Sequence, residues 1–572
     1  MKKSSFLLAF LLIYLNLQSQ IPTIYQQNQS FDYYQIIKYY KTLDSLHDEA
    51  KLIEYGLTDV GKPLHLFVIS PEKEFDAAKL HAQNKTIILI NNGIHPGEPE
   101  GIDASVLMAL KLLSDAKKLK KELGNVVLCI IPVYNIGGHL NRSAYHRANQ
   151  QTPELHGYRG NARNLDLNRD FAKLKSQNAQ SFVSIFQEWK PQIFLDTHTT
   201  DGSDHQYVNT LIATHPVKLE KPMKQFLNEK FVPYLYDELK KTPYEICPYV
   251  ETMDWNKGPE TGIVGFLDMP KFSTGYTSLF HSYSFMTENH IFKDYKDRVL
   301  SVWLFMETLI KFANENNPSI NKTQKEAIEL TKQKTVYVTD YEMDTTKFEW
   351  FNFKGYESEI SKSPLTGLER VVYNQNKKYQ KNIPYLNQFI ATKSIRAPYA
   401  YLLSQAYPEV IHRLKLNGVK MNRLACDTTI ELNAYYIDNY KKTTRPQQGQ
   451  FPNYDLNISI EKMPIQCFEG DYIIELNQHA NEYIVQMLEP DGMDSFFKWN
   501  FFDEILEHRE YFSPIGFEEN AIAYLLKHPE LKQQLDQAVQ NDTTLAQSHY
   551  LQLKFIYDNS EFAEKNYRRL PV

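Results

Sequence analysis

The sequence predicts an α/β protein: a mixed, mostly parallel sheet with helices on both faces, followed by a mixed β-rich and α accessory region. Three observations carry this prediction. Near-continuous apolar runs at 64–69, 86–91, 126–133 and 193–198 read as strands covered on both faces. Segments of helical periodicity separate them, the alternation that builds strand–helix crossovers. Beyond about residue 335 the texture changes to strand-type segments rich in Tyr, Val and Phe.

Taken in order, residues 31–54 show helical periodicity, and Gly56-Leu57-Thr58 with Gly61-Lys62 mark the turn into the strand at 64–69. The strand at 86–91 leads to a turn at His95, then a helix from Glu100 to about Leu119, then the strand at 126–133. A helix around 176–190 precedes the strand that ends at His198. The polar stretch from Ala313 to Ser319 contains Pro318, and it is expected to break the preceding helix and open a linker. The expected domain limits are therefore 20–315, a linker at 316–334, and an accessory region at 335–572. That region offers strand-type segments at 335–341 and 368–373, a small α/β patch (397–403, a helix near 409–416, then 428–437), and helices around 519–526 and 531–538. The aromatic run at 496–502 reads as core, with a carbohydrate- or wall-binding surface as the alternative. No internal repeat and no low-complexity tract is evident.

At 572 residues the chain has room for two to four domains, and its composition, 42% hydrophobic and 23% charged, is that of a globular protein. A net charge of −6 with mixed signs argues against a nucleic-acid partner, which requires a basic face. Lys2-Lys3, an apolar stretch at 6–17 and polar Gln18-Ser19-Gln20 have the order of a secretory signal peptide over residues 1–19. The apolar stretch is too short to span a bilayer, so the expectation is an exported protein, periplasmic or extracellular, with no integral membrane segment after signal removal. No Cys lies near the cleavage point, which argues against a lipid anchor. Four cysteines are too few for a disulfide scaffold. Cys129 reads as a small core hydrophobe, and pairing of Cys426 with Cys467 is left open.

The chemistry concentrates at His95-Pro96-Gly97-Glu98, which follows a strand, and at His198, which ends another. An imidazole and a carboxylate three positions apart on a turn, plus a distant strand-end imidazole, make a three-ligand zinc arrangement. Three protein ligands leave a fourth position open, which distinguishes a catalytic zinc from a structural one. Open α/β sheets bind ligands outside the carboxyl ends of their strands, where both histidines fall. A second His-x-x-Glu, His479 to Glu482, has no such context and reads as a surface turn.

Between the two histidines lies Asn164-Leu165-Asp166-Leu167-Asn168-Arg169-Asp170-Phe171. His95-x-x-Glu98, then Asp-x-Asn-Arg, then a distant strand-end His resembles the zinc carboxypeptidases of the carboxypeptidase A type over roughly residues 31–312. The long carboxyl-terminal part is similar to that of large exported bacterial members. The resemblance implies one zinc ion held by His95, Glu98 and His198, with Asp166 accepting the free ring N–H of His95. It implies that Arg169, with Asn168, holds the terminal carboxylate of a peptide substrate, a task suited to a guanidinium fork. The segment from Asn135 through Arg147 resembles the family's loop that supplies a carbonyl-polarising arginine. Arg147 is assigned that role, with Arg142 as rival. Glu288, in Ser284-Phe285-Met286-Thr287-Glu288, matches the general base, the competing reading being an ion-pair partner of Arg298. His290 faces the same way and is either support or core. Tyr276 is the match for the tyrosine that closes over substrate, with Tyr283 as alternative.

The resemblance thus implies hydrolysis of a peptide bond next to a free C-terminal carboxylate. Succinylglutamate desuccinylases and aspartoacylases share the His-x-x-Glu and later His, making an N-acyl amino acid deacylase the alternative, beside a hydrolase of cell-wall peptides. A non-catalytic glycan- or wall-binding protein is the third reading.

Overall fold

The computed structural model describes residues 23–254 and 257–572, so the expected signal segment lies outside the described residues. Eight strands form the central sheet: β1 (Ala50–Leu57), β2 (Pro63–Ile69), β3 (Thr86–Asn92), β4 (Val126–Ile131), β5 (Ile193–Thr200), β6 (Asn209–Ala213), β7 (Ile246–Pro248) and β8 (Tyr283–His290). Their order is β1-β2-β4-β3-β5-β8-β6-β7. The centre β4-β3-β5-β8 is parallel, β7 runs parallel to β6, and β1, β2 and β6 join antiparallel. This is the mixed, mostly parallel sheet that the apolar runs predict.

The runs are apolar throughout because each face of the sheet has its own core. Ile88 and Ile90 enter one core with helices α1 (Tyr33–Leu46), α2 (Glu100–Leu113) and the start of a long later helix; Ile87 and Leu89 enter the other with α4 (Gln177–Trp189). The single helix expected from Glu100 to Leu119 is two. Asp115 accepts from the N–H groups of Lys117 and Lys118 at 2.9 and 3.1 Å, a cap that starts α3 (Ala116–Glu122) afresh. Cys129 is a buried free thiol in β4, as expected; Cys426 and Cys467 are free as well.

The expected linker at 316–334 is corrected. After α5 (Ser273–Ser278), helix α6 runs unbroken from Tyr295 to Lys332 with Pro318 inside it. Proline removes one backbone donor and frees the carbonyl four residues earlier. That carbonyl, on Asn314, accepts from the side chain of Asn125 at 3.1 Å instead. Asn317 and Asn321 donate to Asn84 and Thr86 at the amino end of β3. The polar residues that look like a linker therefore fasten the helix to the loops beneath the sheet.

The accessory region does not stand apart. Tyr483, Val485, Phe496, Phe497 and Phe502 share the α4-side core, so the aromatic run is core rather than surface. The region adds the paired strands β9 (Val336–Met343) and β12 (Phe389–Arg396), and two long hairpins, β10 (Glu349–Lys362) with β11 (Glu369–Leu386) and β13 (Thr428–Lys442) with β14 (Asn453–Cys467). Helices Pro514–Lys527, Pro529–Asn541 and His549–Asp558 close the chain around a small core of their own. Among the described residues no helix is long and apolar enough to cross a membrane.

Candidate active site

Strands β3, β5 and β8 are parallel, so their carboxyl ends share one edge, and the candidate residues gather there. After β3, Gly93 takes φ +71° and the Glu98 N–H bonds to the His95 carbonyl at 2.9 Å, closing the turn. Gly97 is required: a Cβ there would meet the Gly157 carbonyl at 2.8 Å and Arg147 Cδ at 2.9 Å. His198 lies on β5 directly beside Glu288 on β8.

The nitrogen and oxygen atoms of His95, Glu98 and His198 lie within 4.8 Å of one another, all buried. Glu98 Oε1 is 3.3 Å from His95 Nδ1, and Oε2 is 3.0 Å from His198 Nδ1. Each imidazole is braced from behind: His95 Nε2 is 2.9 Å from Asp166 Oδ1, and His198 Nε2 is 2.9 Å from Asp196 Oδ2. A carboxylate on Nε2 keeps a proton there and turns Nδ1 toward the shared centre. His95 Nδ1 is buried without a hydrogen bond. Two imidazole nitrogens and a carboxylate around one point, with a lone pair otherwise unpartnered, fit a zinc ion.

Residues 36–201 match the family model described as zinc carboxypeptidase. That segment is similar to a zinc carboxypeptidase domain. Carboxypeptidase 2 of Trichophyton rubrum is 20% identical over 436 residues, 73% of this chain and 74% of that protein. Carboxypeptidase 2 of Trichophyton equinum is 19% identical over the same shares. The solved carboxypeptidase A of Helicoverpa armigera, 12% identical, aligns with 52% of this chain and 75% of its own at a TM-score of 0.38. By class the protein is a zinc metallopeptidase. The matched residues include every candidate from His95 to His198 and end before Glu288.

Within the site the two arginine candidates separate. Arg147 donates to Glu98 Oε1 at 2.8 Å, whereas Arg142 grips Phe31 O at 2.6 Å and Ser30 Oγ at 2.7 Å, tying down the amino-terminal segment. Arg298 pairs with Glu100 at 2.9 Å, so it is not the partner of Glu288. Asn168 Oδ1 accepts the Ser273 N–H at 3.0 Å, and the Arg169 guanidinium lies over the Phe272 ring at 4.6 Å. His290 bonds the Ser203 carbonyl at 3.1 Å, and His479 bonds the Phe280 carbonyl at 3.1 Å; neither joins the cluster.

Tyr276 is a correction. It is wholly buried on α5 among Phe171, Phe186 and Phe280, and its hydroxyl donates to Asn417 at 2.6 Å. Tyr283, the alternative, is equally buried, with its hydroxyl 2.7 Å from that of Thr323. Tyr276→Phe is expected to lower stability by roughly 1–3 kcal/mol, through the unpaired Asn417, with kcat unchanged; thermal unfolding and steady-state kinetics check this.

Four residues of the site escaped the sequence reading. Asp196 precedes His198 by two on one strand and so shares its face, a signal that period-two counting detects. Ser273 Oγ donates to Asp196 and its N–H to Asn168, tying the two halves of the site together. Half-exposed Arg159 reaches Asp166 Oδ2 at 2.9 Å and Glu98 Oε1 at 3.6 Å. Half-buried Tyr249, just past β7, holds its hydroxyl 3.2 Å from Thr200 Oγ1; burial and the charge of Glu288 raise its phenol above the ordinary range.

The charges are strongly coupled. Burial works against ionisation of Glu98, but His95, Arg147 and His198 outweigh it and hold the carboxyl well below its ordinary range. Burial likewise opposes a charged His198, yet Asp196 and Glu98 raise its pKa well above the ordinary value. Glu288 is pushed up to about 8, by burial first and then by Glu98 and Asp196. Without metal, His198 and Glu288 therefore carry protons at neutral pH. A cation would displace the first from Nδ1 and draw down the second. Zinc affinity is expected to rise from about pH 6 to about pH 8, by about tenfold per pH unit for each proton released. Calorimetry in buffers of different ionisation enthalpy checks the proton count.

Proposed function

We propose that this chain is a carboxypeptidase that removes residues from the free C-terminus of peptides. The observation that carries the reading is Glu288, opposite His198 on the neighbouring parallel strand and partly open to solvent, beside the buried His95–Glu98–His198 cluster. Zinc held by those three residues would supply Lewis-acid polarisation of the scissile carbonyl and a more acidic water. Glu288 would take a proton from the attacking water and deliver it to the leaving amine. Arg147 and Arg159, both directed at Glu98, would donate to the carbonyl oxygen as its charge grows. Arg169 and Asn168 would hold the terminal carboxylate, and Tyr249, rather than Tyr276, would border the substrate. Asp166 and Asp196 would keep the two imidazoles in the ligating tautomer. Peptides of the cell wall remain within this substrate class, and export rests on the reading of residues 1–19.

The test compares matched peptides with free and amidated C-termini, alongside N-acyl amino acids. Preferential, chelator-sensitive cleavage of the free-ended peptide is the expected result. Equal cleavage of the amidated peptide, or turnover confined to N-acyl amino acids, would overturn it.

A further inference from the structure

The turn that joins β13 to β14 reaches the catalytic edge of the sheet. Gln448, at its tip, accepts the backbone N–H of Asp166 through Oε1 at 2.8 Å, across 282 residues of sequence. We propose that Gln448 is a positioning residue of the metal centre, supplied by the accessory region. The proposal rests on the reading of His95 as a zinc ligand braced by Asp166.

Asp166 is the junction of the site. Its Oδ1 meets His95 Nε2 and accepts the Asn168 N–H at 2.9 Å, and its Oδ2 meets Arg159. Only a single turn of 3₁₀-helix, Leu167–Arg169, follows it. The Asp166 N–H therefore depends on Gln448 for its bond, and the direction of the carboxylate follows from where that backbone is held.

The turn itself is built at a cost that this contact explains. Gln447 and Gln450 exchange backbone hydrogen bonds at 2.7 and 3.0 Å, with Gln448 at φ +52° and Gly449 at φ +69°. Two successive left-handed residues in a two-residue hairpin loop call for Asn-Gly or Gly-Gly. A glutamine in the first position is strained by its Cβ. Its longer side chain spans the gap to Asp166. Backbone outliers of this kind cluster at functional sites, where the surroundings hold them in place. Lys175 does so here, donating to the carbonyls of Gln448 and Gly449 at 3.0 and 3.2 Å, while Gln450 Nε2 donates to Trp499 O at 2.6 Å.

Strain and function pull in opposite directions at this residue, which makes the proposal testable. Gln448→Gly removes the side chain and relieves the backbone. The expected result is a metal-free protein whose Tm equals or exceeds the parent's, with a zinc Kd raised by about tenfold in chelator competition. Gln448→Glu keeps an acceptor oxygen and is expected to return the Kd to within about twofold of the parent. An unchanged Kd in Gln448→Gly overturns the proposal. So does a Tm that falls together with the affinity, which marks a merely structural contact. A parent chain that fails to take up zinc stoichiometrically defeats the underlying reading of the metal centre instead, and is seen before any variant is made.

Discussion

Glu288→Gln is expected to lower kcat by about 10²–10⁴-fold while zinc uptake stays at the parent level. Gln has the same shape and cannot accept a proton. The Glu288 side chain belongs to no ligand pair in the cluster, and its backbone carbonyl, which accepts from Thr210 Oγ1 at 3.0 Å, is untouched by the change. A carboxyl pushed up to about 8 by burial, Glu98 and Asp196 is a ready proton acceptor once it is ionised. A bound cation would lower that value and set the acid limb of the pH profile. Above that limb the base is ionised and the rate is full; below it the carboxyl is protonated and the rate is lost. Metal analysis beside steady-state kinetics on a free-ended peptide separates the two effects. Activity within about tenfold of the parent would remove Glu288 as the base.

The parts of the site that local chemistry dictates were legible in the sequence. His95 and Glu98 sit on one Pro-Gly turn, and His198 ends a strand that its apolar run announces; a parallel sheet then has one carboxyl edge on which to collect all three. Asp166 and Glu288 were legible only through the family resemblance, and geometry shows what Asp166 is for: its Oδ1 stands 2.9 Å from His95 Nε2. Residues held by irregular backbone were not legible. Arg159 lies in the long loop between β4 and α4, and Tyr249 lies past the three-residue strand β7, where neither period two nor helical period applies. Tyr276 misled because its segment has the composition of a loop, while tertiary packing against Phe171, Phe182 and Phe186 makes it a buried helix.

The same distinction explains the domain boundary. A proline among asparagines is a sound local sign of a helix end. Here Asn125 rescues the carbonyl that Pro318 frees, a contact across 189 residues that no local rule contains. The accessory region was read as a separate body because its strand texture differs from that of the sheet. Its Phe496, Phe497 and Tyr483 complete the core over α4 instead, and its hairpin turn reaches Asp166. Dividing the chain near residue 335 would therefore open the core of the sheet.

Arg169→Met is expected to lower kcat/KM for free-ended peptides by about 10²–10³-fold, the loss of one partner of a desolvated charge pair at about 3–4 kcal/mol. One arm of the guanidinium bonds the Asn168 carbonyl at 2.9 Å, and the plane rests on Phe272. Burial lowers its pKa below the ordinary guanidinium value, and Asp166 works in the opposite direction, so the charge persists across the working pH range. A carboxylate presented to this fork gains a charge-assisted pair that an amide does not. Peptides amidated at the C-terminus should therefore lose little more in Arg169→Met, and the ratio of free to amidated kcat/KM should collapse. Arg169→Lys, a point charge in place of a planar fork, should fall between the two. A ratio that stays at the parent value in Arg169→Met would move the carboxylate contact to another cation, and half-exposed Arg159, already 2.9 Å from Asp166, has the charge to take it.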